Sequence, residues 1–472
     1  MNIWIAALDA HGNGGITTHI KALTRQLIEI GHNVEWVTPN GEITEHLSNI
    51  VINTNQQLFN RYPNNLSVDI IETWAVRLEM NFRLKLSEAT PDIVHCHDVI
   101  TYQQIKVLAE ERNIPIILTV HGHVPDEEVN HGHIEYNSIE YRYWRKCEWF
   151  ALKELDTVVS VGEELVDYLK GINDRANIVH IPNFLHHSFS EITLSDVRKQ
   201  LSVREDQILL FSPSRFELIK GIEYLLDAML LLPNNYSLLL IDNGKTKLQE
   251  EIEKRNLQSR IKVIQPVSNE VMSSLYAAAD LCVIPSIKKG THTETSSFTA
   301  IESFTMGTPV VASEVGGLKE VVGQWGRLVP MQNSNALVEG ILEIFSSNER
   351  TNEYRDLAYE RSKTFAARNV VPKLLSCYEA TITNYQKKHV TPFILYGFSA
   401  KVLKMIFLTI LNDTNQIKEI LDFSKVRFGV GYRQNLYESY SIVINLIKDH
   451  YPDLHQAGVN IKNELLEYLS KR

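Results

Sequence analysis

Cysteine is scarce in this chain of 472 residues. The four present, Cys96, Cys147, Cys282 and Cys377, have no CxxC spacing. That argues against a disulfide framework and a thiolate metal site, and fits reduced thiols. An excess of positive charge is also missing: the formal net charge is -10 and the isoelectric point is near 6. Phosphate-backbone binding needs a basic footprint, so nucleic acid is not expected as a partner. No long apolar run is uninterrupted either. The nearest, "FILYGFSAKVLKMIFLTIL" from Phe393 to Leu411, carries Lys401 and Lys404 mid-segment, where each would cost about 2.5–3.5 kcal/mol in a bilayer. A transmembrane segment is therefore rejected. Val402, Leu403, Ile406, Phe407, Ile410 and Leu411 fall on one helical face, which is read as packing on the body, with peripheral membrane contact as the alternative. The opening "MNIWIAALDA" lacks the basic region and long apolar core of a signal peptide and reads as a buried strand, so a cytoplasmic location is expected.

What is present is ordinary globular material, 44% hydrophobic and 22% charged, in a chain long enough for two or three cores. Short β-branched runs recur between helical stretches: "IWIAAL", "NVEWVTP", "DIVHCH", "PIILTVHG", "DTVVSVG" and "IVHIPN". A second series follows with "QILLFSPS", "YSLLLIDNG", "IKVIQPV", "DLCVIPS", "TPVVASE" and "GRLVP". Continuous apolar strands alternating with helices predict parallel, doubly wound sheets. The fold class is therefore α/β, with two Rossmann-like domains facing a cleft and a helical C-terminal extension. The expected division is 1–190, 191–365, a crossover helix over 366–388, and the extension over 389–472, with the hinge near Ser188 to Ser202. Ligands of such sheets bind at the strands' carboxyl ends.

Four stretches could carry chemistry there. "HGNGGITTHI" follows the first strand and opens a helix, so Gly14 and Gly15 could let backbone amides approach an anion. A dinucleotide fingerprint would need a third glycine where Thr17 stands and an acid near Thr38 and Pro39, which weakens a dehydrogenase reading. A tight turn that binds nothing is the alternative for this loop. "SPSRFELIKG" places Arg215 past a strand end and Lys220 beside Gly221 at a helix start, which suits a diphosphate; a pair of solvated charges is the bland alternative. "HGHVPDEEVNHGH" invites a metal, but His121, His123, His131 and His133 match no established ligand spacing, and no metal site is expected. His121, closing a strand, is the residue to watch. "ETSSFTAIE" reads as a loop bearing Glu294, N-cap serines at 296 and 297, and a helix bearing Glu302. Its carboxylates could grip hydroxyls of one polyol ligand, or be a loop charge and a solvated helix residue.

Collectively, the Gly14-Gly15 loop, His121, Arg215 with Lys220, and Glu294 with Glu302 before "GTPVVASEVGGLKEVV" resemble the retaining GT-B glycosyltransferases of nucleotide-sugar family 4 over residues 1–388. The resemblance implies a sugar moved from a nucleotide-sugar donor, expected to be a UDP-sugar, to a glycan, lipid or protein acceptor, in envelope, polysaccharide or coat biosynthesis. It implies that Arg215 and Lys220 hold the diphosphate, with Gly14 and Gly15 approaching it from the first domain. Glu302 would hold the ribose, Glu294 the transferred sugar, Val267 would lie against the base and His121 would orient the sugar. Backbone amides at Ser297 and Phe298 would position sugar and phosphate. No cofactor and no divalent ion are expected. The catalytic set implied is His121, Glu294, Arg215 and Lys220. "ETSSFTAIE" departs from the family's usual Glu-x-Phe-Gly, and Asp242 stands where glycine is common, so the donor sugar stays open. A non-catalytic binding or structural protein on the same scaffold is the alternative.

Overall fold

The computed structural model describes residues 1–8, 14–40, 77–79, 81–130, 135–137, 139–185, 194–214, 216–244, 246–289 and 293–385. Arg215, His131, His133, the polar stretch 41–65 in which an acceptor could be met, and the extension 389–472 lie outside them.

Six strands form the first sheet: β1 Asn2–Ala6, β2 Asn33–Val37, β3 Ile93–Cys96, β4 Ile116–Val120, β5 Thr157–Ser160 and β6 Asn177–His180. Six form the second: β7 Ile208–Ser212, β8 Tyr236–Ile241, β9 Ile261–Ile264, β10 Leu281–Ile284, β11 Val310–Ser313 and β12 Arg327–Val329. The strand orders are β2-β1-β3-β4-β5-β6 and β12-β11-β10-β7-β8-β9, and every pairing is parallel. These are two doubly wound sheets.

The apolar runs explain the arrangement. Successive side chains of a strand point to opposite faces, so a strand covered on both sides needs apolar residues throughout. In β1, Ile3 and Ile5 enter one core while Trp4 and Ala6 enter the core on the other face. In β7, Leu209 and Phe211 serve one face and Leu210 the other.

Five helices matter for the site: α1 Gly15–Glu29, α2 Glu163–Ile172, α3 Phe298–Thr305, α4 Leu318–Val322 and α5 Ala367–Thr383. Although α5 follows the second sheet in sequence, it packs on the first. Its Val370, Val371, Leu374 and Tyr378 share a core with Ile20, Leu23 and Leu27 of α1. At its start Leu185 pairs with Ala366, and the Leu185 amide donates to the Phe365 carbonyl at 3.2 Å. Among the described residues, no helix is long and apolar enough to cross a membrane.

Each sheet reverses its winding direction once, at β1/β3 and at β7/β10. The crevices beyond the carboxyl ends of those strand pairs are where ligands of doubly wound sheets bind.

Candidate active site

At the second sheet's reversal point, β7 runs into a short 3-10 turn, Leu218–Lys220, closed by Gly221 in the left-handed region (φ 62°). A Cβ there would sit 2.0 Å from the Pro285 carbonyl oxygen, so glycine is required twice, for its torsion and for its lack of bulk. The close approach sets the turn against the end of β10, where the Ile287 amide donates to the Ile219 carbonyl at 2.8 Å. Lys220 Nζ thereby reaches Glu294 Oε1 in an ion pair, and Ser286 Oγ donates to the same oxygen at 3.2 Å. The side chains of Lys220 and Glu294 are 24% and 14% exposed, sheltered from bulk water yet open to a ligand.

The loop carrying Glu294 is held from both domains. The Glu294 carbonyl accepts from the Gly317 amide at 2.6 Å. A Cβ on Gly317 would fall 2.0 Å from the Thr295 carbonyl oxygen, and one on Gly162, at the end of β5, would fall 2.4 Å from the same atom. A Cβ on Gly122 would lie 3.5 Å from Thr295 Oγ1. Glycines of both domains therefore enclose this loop.

Helix α3 begins at Ser297, whose hydroxyl accepts from the Ala300 amide at 3.4 Å, which is N-capping. Helix α1 begins at Gly14, with no side chain capping it. A Cβ on Gly15 would lie 3.5 Å from the Phe298 ring, so the N-termini of the two helices meet across the cleft. Both present free amides and the positive end of a helix dipole, which favour an anion. Deeper in α3, half-buried Glu302 accepts from the Tyr276 hydroxyl at 2.8 Å, and burial pushes its carboxyl up to about 7. Burial, reinforced by Glu302, pushes the Tyr276 phenol well above its usual value. Val267 packs half-buried against the core cluster that contains Tyr276 and Ile301.

On the first domain's side, histidines collect at the ends of β3 and β4. His121 follows β4, His97 follows β3, His95 lies within β3, and His19 points in from α1. His97 Nδ1 and His121 Nε2 are 3.1 Å apart. His19 Nδ1 meets Asn183 Oδ1 at 2.9 Å. His95 is engaged at both nitrogens, by the Tyr378 hydroxyl of α5 and by Thr119 Oγ1, each at 2.7 Å. Burial lowers all four imidazoles, His19 to about 4 and the others well below the usual histidine value, with neighbouring histidines adding to the shift of His95, His97 and His121. These rings are neutral at physiological pH. His19, His97 and His121 each offer a nitrogen within 4.8 Å of the others, the geometry of a possible metal cluster.

The structure thus brings together Lys220 with Glu294, Gly15 with Phe298, and His121 with the histidine cluster. Two residues after His121, His123 turns away to pack its ring against Tyr168 at 4.3 Å between centroids, so the "HGH" repeat does not act as one unit. Sequence reading overlooked His19, His95 and His97. Alternation in "HCH" was the available signal, since residues two apart on a strand share a face.

The family model described as Glycosyltransferase Family 4 matches residues 13–189, and the one described as Glycosyl transferases group 1 matches residues 195–361. An uncharacterized glycosyltransferase of Methanocaldococcus jannaschii is 24% identical over 359 residues, 71% of this chain and 85% of that protein. A D-inositol 3-phosphate glycosyltransferase of Mycobacterium sp. is 27% identical over 314 residues, 63% of this chain and 68% of its own length. Among solved structures, sucrose-phosphate synthase from Thermosynechococcus elongatus aligns with a TM-score of 0.63 at 21% identity, covering 81% of this chain and 100% of that one. Anabaena HepE in complex with UDP-glucose aligns at 0.61 with 17% identity, covering 80% and 100%. Two family matches in tandem, each over one of the paired parallel sheets, identify the chain as a glycosyltransferase of family 4 and group 1 with the GT-B fold.

Proposed function

We propose that the chain is a retaining, metal-independent glycosyltransferase acting in the cytoplasm, which moves a sugar from a UDP-sugar to a glycan, lipid or protein acceptor. The observation that carries this reading is the junction of Lys220 and Glu294 beside two helix N-termini that meet across the cleft. Lys220, with Arg215, neutralises the donor diphosphate. The amides at Gly14 and Gly15 and those at Ser297 and Phe298 approach it from either side. Glu294 receives the hydroxyls of the transferred sugar, Glu302 those of the ribose, and Val267 lies against the base. His121 orients the sugar from the first domain. HepE, similar in fold, has been solved with UDP and with UDP-glucose, which supports uridine as the base.

Transfer breaks the bond between the anomeric carbon and the diphosphate, whose oxygen gains negative charge as it leaves. Fixed cations and helix N-termini stabilise that charge most when water is excluded and the groups are already in place, so Lys220 and the α1 and α3 amides can do so without a divalent ion. In front-face attack, the departing phosphate oxygen takes the acceptor's proton and the acceptor enters from the same side, which retains configuration.

A donor panel of UDP-, GDP- and ADP-sugars, assayed for hydrolysis with the product anomer read by NMR, tests this directly. Release of the retained anomer from a UDP-sugar is expected. Lys220→Ala should lower kcat/KM on the order of 10–100-fold, because a hydrogen bond to a charged group contributes about 1.5–3 kcal/mol. Absence of binding and hydrolysis across the whole panel would instead favour a non-catalytic protein on this scaffold.

A further inference from the structure

We propose that His19, His97 and His121 form a binding site for a divalent transition metal of the zinc class, at the carboxyl ends of β3 and β4. Their ring nitrogens lie within 4.8 Å of one another. The closest pair, His97 Nδ1 and His121 Nε2, is 3.1 Å apart; two tetrahedral ligands about 2.0–2.1 Å from one Zn²⁺ would be separated by about 3.3 Å.

One unsatisfied atom gives independent support. Nε2 of His19 is buried and has no hydrogen-bond partner among the described residues, and its side chain is almost fully buried, at 2% exposure. Buried polar atoms are ordinarily paired, and an exception calls for an unseen ion or water. Asn183 Oδ1 faces His19 Nδ1, which puts the proton on Nδ1 and leaves the Nε2 lone pair bare. A second hydrogen bond that fixes the tautomer in this way accompanies most metal-bound histidines. His95 makes the contrast, since both of its nitrogens are occupied and it serves as a wall of the site.

The donor set selects the ion. Three neutral imidazoles, with no carboxylate or thiolate among them, suit Zn²⁺, Ni²⁺ or Cu²⁺ and not Mg²⁺ or Ca²⁺. Three protein ligands leave a fourth position for water or ligand. His121 is the least buried of the three, so that position opens toward the cleft.

A consequence rests on the function proposed above. Metal would take the His121 nitrogen that otherwise meets the donor sugar, so metal and donor would compete, and divalent transition metals would inhibit an enzyme that needs none.

The test uses the full chain, stripped with a chelator and titrated with Co²⁺ alone while the visible d–d absorption is recorded. One saturable equivalent is expected, displaced by Zn²⁺. His19→Ala and His97→Ala should lose it, and Asn183→Ala should weaken it about 10–100-fold. His32→Ala, at the opposite end of the first sheet, should leave it unchanged. No stoichiometric Co²⁺ spectrum in the parent, or undiminished binding in a His19→Ala variant with parental circular dichroism, overturns the site. If a histidine variant misfolds, undiminished binding by Asn183→Ala overturns it instead. Binding without inhibition of donor hydrolysis removes the link to catalysis, and failure of the chelated protein on every donor removes the proposed function, while the Co²⁺ titration decides the site in either case.

Discussion

Glu302 keeps its proton more tightly in the folded chain than in the unfolded one, because burial pushes its carboxyl from the ordinary 4.5 up to about 7. Between those values the folded state binds the extra proton, so this group's contribution to stability is complete below about pH 4.5 and is lost as pH rises toward 7. Glu148, buried beside Arg145 and Tyr168, is raised to about 7 by the same cause and adds to the slope. Glu302→Gln can still accept from Tyr276 yet cannot ionise. It should melt with the parent at about pH 4 and exceed it at about pH 8, by about 1–3 kcal/mol, in thermal scans at the two pH values. A parallel offset at both values would remove Glu302 from the linkage. The same substitution should raise donor KM by weakening the ribose contact. Single residues such as this were legible from position, because the hydroxyl-rich "SS" before an apolar helix marks an N-cap and places Glu302 inside the helix. The partners were not. Tyr276 lies 26 residues away in sequence and Lys220 lies 74 from Glu294, separations that no local pattern encodes.

At the scale of elements, the strands were readable because a parallel strand buried on both faces must be apolar throughout, and each quoted run became one. The loop between β10 and α3 was readable only as a loop. Its conformation over residues 293–297 depends on glycines from both domains: a Cβ on Gly162 or Gly317 would meet the Thr295 carbonyl, and one on Gly316 the Glu294 carbonyl. Gly162 has an ordinary extended backbone, φ -139°, so alanine there carries no torsional strain and its own domain should fold normally. Its methyl would still meet the Thr295 carbonyl and push the Glu294 loop back. Gly162→Ala should therefore keep the parental melting temperature and lose on the order of 100-fold in kcat, the cost of about 1 Å of misplacement at a reacting centre. Wild-type turnover in that variant would show that the loop does not need this contact. The histidine cluster escaped sequence reading for a related reason: α1, β3, β4 and Asn183 supply it from four separate places, and only the His95/His97 alternation at β3 was a local signal.

For the whole molecule, the cleft closes between a covalent side and a latch. Leu185 and Ala366, where the chain passes between domains, pair directly. Elsewhere in the interface, Glu320 of α4 accepts from the Glu163 amide at the start of α2 at 2.8 Å and lies 3.0 Å from His180 Nε2. Lys319 pairs with Glu164 at 2.7 Å. The Lys319 pair is about half exposed on both sides and contributes little, about 0–1 kcal/mol. Glu320 is 15% exposed and joins two groups of the other domain, so it dominates the latch. Removing about 1–2 kcal/mol of closure shifts the open-to-closed ratio by about 5–30-fold. The donor site needs both domains, and apparent affinity falls with the fraction of chain that is closed. Glu320→Ala should therefore raise donor KM several-fold and enlarge the radius of gyration in X-ray scattering. Its melting temperature should scarcely change, because neither core loses a side chain. Saturating donor should restore the compact form. If KM and radius both match the parent, the domains are held together by their shared helix α5 and the Glu294 loop, and the Glu320 contacts merely accompany closure.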